Sequence, residues 1–218
     1  MSSENGKKNG AGANGASGAG PLDEEELAGG PLEGAEIAPP PPRIAELVAS
    51  CVRFVAQKYR VPLDFGPDTL SLVDQYVRDA RADVRQRPES LPLLQAAVGA
   101  YLGEVVRRTY GGYWFCEGDE EGWRVMLSRV YLAFNPIGMA REALTLEEAE
   151  GWHAHFELDP GDREAIERRL ARAPEVDEEE YFLPTTRHEV VSIVFDELRR
   201  RMHESGTADV RFGPDDYR

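Results

Sequence analysis

Two cysteines, three lysines, four histidines and three tryptophans in 218 residues leave little material for the commoner kinds of site. Cys51 and Cys116 form no CxxC pair and no zinc-type spacing with histidine, and both sit in apolar runs, so they read as free thiols in a reducing compartment. The chain has no GxGxxG, no GxxxxGK[ST], no HExxH and no nucleophile elbow, so no nucleotide-fold, zincin or hydrolase signature is present. No long apolar run occurs either. The stretch Leu93–Leu102 is about half of the ~20 residues a membrane span needs, and nothing apolar follows Lys7 and Lys8, so neither a span nor a secretory signal is expected. These absences lead to the expectation of a cytoplasmic protein without cofactor or metal.

Positive charge is scarce. The formal net charge is −15. Residues 1–42 hold two lysines against seven acids and so carry −5, leaving −10 on the rest. Such a surface repels phosphate backbones, and no nucleic-acid partner is expected. The arginine runs Arg168–Arg169 and Arg199–Arg201 lie among acids near expected helix ends, where cations favour the helix dipole.

What the chain does have falls into four parts. Residues 1–42 contain nine of the 21 glycines and six of the 15 prolines, with only Leu22, Leu27, Leu32 and Ile37 as larger aliphatics. Too little apolar surface is available there to offset backbone entropy of roughly 1–2 kcal/mol per residue, so a disordered acidic tail is expected. Its pieces PLDEEEL and PLEGAEI alternate acid with aliphatic and suit either a docking motif or a linker. Residues 43–145 are expected to form an α+β core, 146–205 a helical extension packed on it, and 206–218 a C-terminal tail with a frayed end.

Within the core, 3–4 spacing predicts helices over 43–60 (Ile44, Leu47, Val48, Cys51, Val55, Tyr59), 67–87 (Leu70, Val73, Val77, Ala80, Val84, with Asp68 as N-cap) and 89–110. The last is the most apolar, and Gly99 and Gly103 lie one turn apart on it. Glycine costs about 1 kcal/mol relative to alanine inside a helix, so the pair implies a close packing partner. After Gly111–Gly112 the period changes to 2, predicting strands at 113–116, 123–127 and 130–134 as a three-stranded antiparallel sheet on helices. A short helix to about Leu144 follows. Thr145 and Glu148 then read as a capping box opening a helix through Phe156, and further helices are expected at 163–173 and 186–204.

Four groups of residues invite a functional reading. Glu104, inside the most apolar helix, is either a pocket acid or an ion-pair partner of Arg107 and Arg108, and the pair is favoured because the spacing is in register. His153 and His155 near Glu150 and Glu157 are the one metal-like cluster, but His153 and His155 point about 200° apart on a helix, so no metal site is assigned. His188 beside Glu189 makes a poor acid–base pair, because adjacent helix residues do not face each other. Trp114 and Trp123 flank an acidic turn containing Asp119, Glu120 and Glu121, and aromatic anchors beside acids suit a basic protein partner. The favoured function is therefore a protein–protein interaction adaptor, or an inhibitor or immunity-type acidic binding protein with a docking arm. The alternative is a hydrolase or metal-dependent enzyme around Glu104, His153 and His188.

The run GAYLGEVVRRTYGGYW at 99–114 resembles a motif of uncharacterised bacterial domain families, G-x-[YF]-L-G-E followed by GG-x-W. PDTLSLVDQYV at 67–77 and FNPIGMAREAL at 134–144 are similar to the flanking segments of those families. The resemblance covers residues 60–145 and implies a small intracellular bacterial α+β domain. It transfers no activity and no catalytic residue.

Overall fold

The computed structural model describes residues 38–217; most of the tail expected over 1–42 lies outside them. Helix α1 (Pro42–Tyr59) starts on a proline, whose missing N–H is no loss in a first turn, and ends at Arg60 in the left-handed region (φ 61°). Its stripe Ile44, Leu47, Val48, Cys51 and Val55 is buried, while Tyr59 is only half-buried. Helix α2 (Leu70–Gln86) buries all five expected residues. Its entry differs from expectation: residues 67–69 form a 3-10 turn, and Asp68 makes no capping hydrogen bond. The carboxylate of Asp64 does the local work instead, accepting from the Gly66 N–H (2.8 Å) and the Thr69 hydroxyl (3.2 Å).

Helix α3 (Leu91–Tyr110) begins two residues later than expected, after a second 3-10 turn at 88–90. Every residue from Gln95 to Arg107 is buried, which makes α3 the central element, with α1 on one side and α4 (Pro136–Thr145) on another. Gly111, at φ 78°, turns the chain out of α3 into the sheet.

The architecture is α+β, but the antiparallel sheet has four strands, not three: β1 (Gly112–Phe115), β2 (Arg124–Leu127), β3 (Leu132–Phe134) and β4 (Glu157–Leu158), hydrogen-bonded in that order. The register pairs Gly112 with Leu127, Val125 with Phe134, and Leu132 with Leu158. β4 follows directly on the segment that the capping-box reading assigned to a helix through Phe156, and that segment is not helical. Thr145 instead ends α4, Leu146 is left-handed (φ 59°), and Gly151 and His153 also take positive φ (80° and 50°), which no helix tolerates. The His153 carbonyl accepts the Asn135 N–H at 2.9 Å, folding this loop back onto the sheet edge so that Glu157 and Leu158 add a strand.

Two helical pieces precede the last long helix. These are α5 (Arg163–Leu170) and α6 (Glu178–Tyr181), the latter a single acidic turn capped by Asp177. Helix α7 (Pro184–Glu204) buries Val191, Val194, Phe195 and Leu198. One continuous apolar core runs from Ile44 to Leu198 and takes in Val125, Leu127, Leu132 and Phe134 from one sheet face. The other face, Met126 and Ala133, is covered by the C-terminal segment through Phe212 and Tyr217. The expected frayed end is thus overturned. Tyr217 is buried in a 3-10 turn (Pro214–Tyr217); its hydroxyl accepts from the Leu132 N–H (3.0 Å) and donates to the Leu127 carbonyl (2.6 Å).

Candidate functional site

The glycine pair on α3 does receive close partners. A Cβ on Gly99 would lie 2.4 Å from the Ile137 Cα, so α4 crosses α3 backbone to backbone there. A Cβ on Gly103 would lie 2.4 Å from the Trp114 ring and 2.9 Å from Pro136. The Trp114 ring therefore packs directly on the helix backbone at Gly103, and its indole N–H donates to Glu104 at 2.8 Å. Glu104 is completely buried and accepts also from Arg107 (2.7 and 3.0 Å) and Arg108 (3.3 Å). Burial alone would push its carboxyl up, but the hydrogen bonds from Arg107 and Trp114 outweigh it and hold Glu104 below the ordinary glutamate range. A carboxylate so fully engaged ties helix to sheet; no lone pair is left to work as a base. The i, i+3 and i+4 arginines were readable from the sequence. The third donor, Trp114, was not, because only the folded hairpin brings it there.

The acidic turn between β1 and β2 is a fixed structure. Residues 120–122 form a 3-10 turn. Trp123, buried rather than displayed, donates from its indole N–H to the Gly118 carbonyl at 3.2 Å. Asn135, wholly buried, donates its amide to the carbonyls of Glu120 (2.9 Å) and Glu121 (3.0 Å), while its carbonyl oxygen caps α4 at the Ile137 and Gly138 N–H groups. One side chain thus sets both the turn and the start of α4. Its place is marked in the sequence, since Asn-Pro before an apolar run is a helix-start signal, but its hold on the acidic turn is not. Glu120 leans inward to Arg43 (3.6 Å), whereas Asp119 and Glu121 are exposed. The turn, Arg43 and the half-buried Trp152 line a shallow hollow of about 450 Å³. Trp152 rests over Gly138, where a Cβ would come within 2.8 Å of it, and under the Arg141 guanidinium (5.5 Å). Trp123 lines the same hollow from its buried position, Trp152 is the more exposed of the two, and Trp114 is not part of it.

The enzyme alternative's three residues sit in different surroundings. Glu104 is sealed in the core, His153 is exposed on the β4 side, where it and His155 edge a hollow with Arg124 and Glu157, and His188 is buried on α7 against Tyr110 (ring centroids 5.8 Å apart). Burial lowers the His188 pKa and favours the neutral imidazole. Its neighbour Glu189 points to solvent on the other side of the helix, and Arg187 pairs with the buried Glu142. Among the described residues no group of three or more His, Cys, Asp or Glu side chains is placed to hold a metal ion. No helix among them is long and apolar enough to cross a membrane.

Residues 25–130, a little under half of the chain, match the model of a family of unknown function (DUF6278). No curated protein and no solved structure matches the chain. The match covers α1, α2, α3, β1 and β2, including the Gly103–Glu104–Trp114 contact and the acidic turn, but not Asn135 or Trp152, which complete the candidate site.

Proposed function

We propose that the protein works by binding another protein, as an adaptor or inhibitor that engages a basic partner through the β1–β2 turn. One observation carries this reading: the turn is locked from inside by Trp123 and Asn135 while the carboxylates of Asp119 and Glu121 stay exposed beside Trp152. A rigid loop loses little conformational entropy on association, so its charges are preorganised for a partner's cations. Trp152 supplies the apolar anchor, and the net charge of −15 steers basic partners toward the molecule from a distance. The Pro-Leu-acid pieces at 21–27 and 31–37 are the proposed second contact, in an intracellular setting.

The test compares the full chain with an Asp119→Asn, Glu121→Gln variant, each immobilised and exposed to a lysate of the cells that make the protein. The parent should retain one stoichiometric basic partner, which the variant loses and which is released as salt rises from about 0.1 M to about 1 M. Equal capture by parent and variant, or capture by neither, would overturn the reading.

A further inference from the structure

The two arginine runs, which sequence alone assigns to separate helix ends, meet in space. α5 packs on α7, and between them lies a hollow of about 340 Å³ lined by Arg168, Arg169 and Arg172 from the α5 side and Glu197, Arg200 and Arg201 from α7. Five guanidinium groups thus surround one carboxylate on a chain whose overall charge is −15. That carboxylate is already engaged: Glu197 is buried and accepts twice from Arg200. Arg200 also reaches Glu204, and Arg201 donates to Asp162 at 2.6 Å. Arg168 faces Glu164 at 3.8 Å with both side chains exposed, a pair of little strength. Arg169 and Arg172 make no ion pair within 4 Å among the described residues, although Arg169 is near enough to Glu197 to favour its charged form.

From this arrangement we propose that the α5–α7 hollow binds a small anion bearing two or more phosphate groups. The planar guanidinium fork matches phosphate oxygens two at a time, and Arg169 in the last turn of α5 and Arg172 in the turn that follows it, neither in an ion pair, present such forks to one hollow. Glu197 holds Arg200 in place at the floor and also repels the ligand, so it sets the affinity downward. A compact anion fits inside the positive region. A nucleic acid would run out over Glu164, Glu167 and Glu204, within the ~10 Å over which charges are felt at about 0.1 M salt. The inference is independent of the acidic turn.

Titration calorimetry of the full chain with sodium tripolyphosphate at about 0.1 M ionic strength tests it. One site per chain is expected, with affinity falling as salt rises. Arg169→Gln with Arg172→Gln, both exposed and without ion pairs to lose, should weaken binding roughly tenfold or more. The charge-matched control Arg78→Gln with Arg85→Gln on α2 should leave it within about twofold. Glu197→Gln should tighten binding severalfold. No binding by the parent, equal loss in the control pair, or equal binding of a single-stranded oligonucleotide would overturn the site. A Glu197→Gln chain that melts like the parent and binds no more tightly would overturn the role given to Glu197.

Discussion

A glutamate inside an apolar helix persists only where its charge is answered, and Glu104 is answered by Arg107, Arg108 and Trp114 together. The two arginines are not equivalent. Arg107 is buried, so Glu104→Gln strands its cation in the core and should cost about 3–5 kcal/mol, read as a shift in the denaturant midpoint. Arg108 is 39 % exposed, and Arg108→Gln should cost less than about 1 kcal/mol. The pH dependence follows from the direction of the shift. The folded-state pKa of Glu104 lies below its unfolded value, so its contribution is full above the ordinary glutamate pKa of about 4.3 and is lost as pH falls through the lower, folded value. The parent should therefore lose stability faster than Glu104→Gln as pH drops below about 4.3. Parallel pH profiles of the two proteins would show that folding does not lower the Glu104 pKa.

At the scale of elements, legibility followed the density of pattern. The stripes of α1, α2 and α7 could be read because a buried face repeats every three or four residues over four or more turns. The segment 146–156 defeated the same method. Its alternation of acids and aromatics mimics an amphipathic helix, and the positive φ at Gly151 and His153 is decided by the tertiary bond from Asn135 to the His153 carbonyl. The C-terminal strap was invisible for another reason: Phe212 and Tyr217 are two anchors in a polar run, too few to make a period. Yet the Tyr217 hydroxyl serves backbone groups of β2 and β3 at the mouth of their connecting turn, beyond the last β2–β3 pair, Met126 with Ala133. Tyr217→Phe should cost about 1–3 kcal/mol by leaving those groups buried without a partner. Truncation before Phe212 should cost more and expose Met126, seen as raised binding of a hydrophobic dye. A truncated chain with the parent's melting temperature would mean that the strap packs without holding anything.

The whole molecule does not divide where the family match ends. Residue 130 falls between β2 and β3, and what lies beyond it completes the core. Ile137 and Pro136 fill the bare backbone at Gly99, Asn135 sets the acidic turn, and Phe195 packs at a tilt against Tyr110 with ring centroids 4.6 Å apart. Without them α3 would show its most apolar residues to water on the sides now covered by α4 and α7. Each large aliphatic or aromatic side chain so exposed forfeits about 1.5–3 kcal/mol, against a total stability of about 5–15 kcal/mol for a domain. A fragment of residues 38–130 should therefore keep some helix by circular dichroism but melt without a cooperative transition and bind hydrophobic dye, whereas residues 38–218 melt in one step. If the short fragment melts cooperatively within a few degrees of the longer one, the matched region is a self-sufficient domain and α4 to α7 are additions to it. If it does not, the candidate site depends on the second half of the chain, because Asn135, which fixes the acidic turn, and Trp152, which borders it, both lie there.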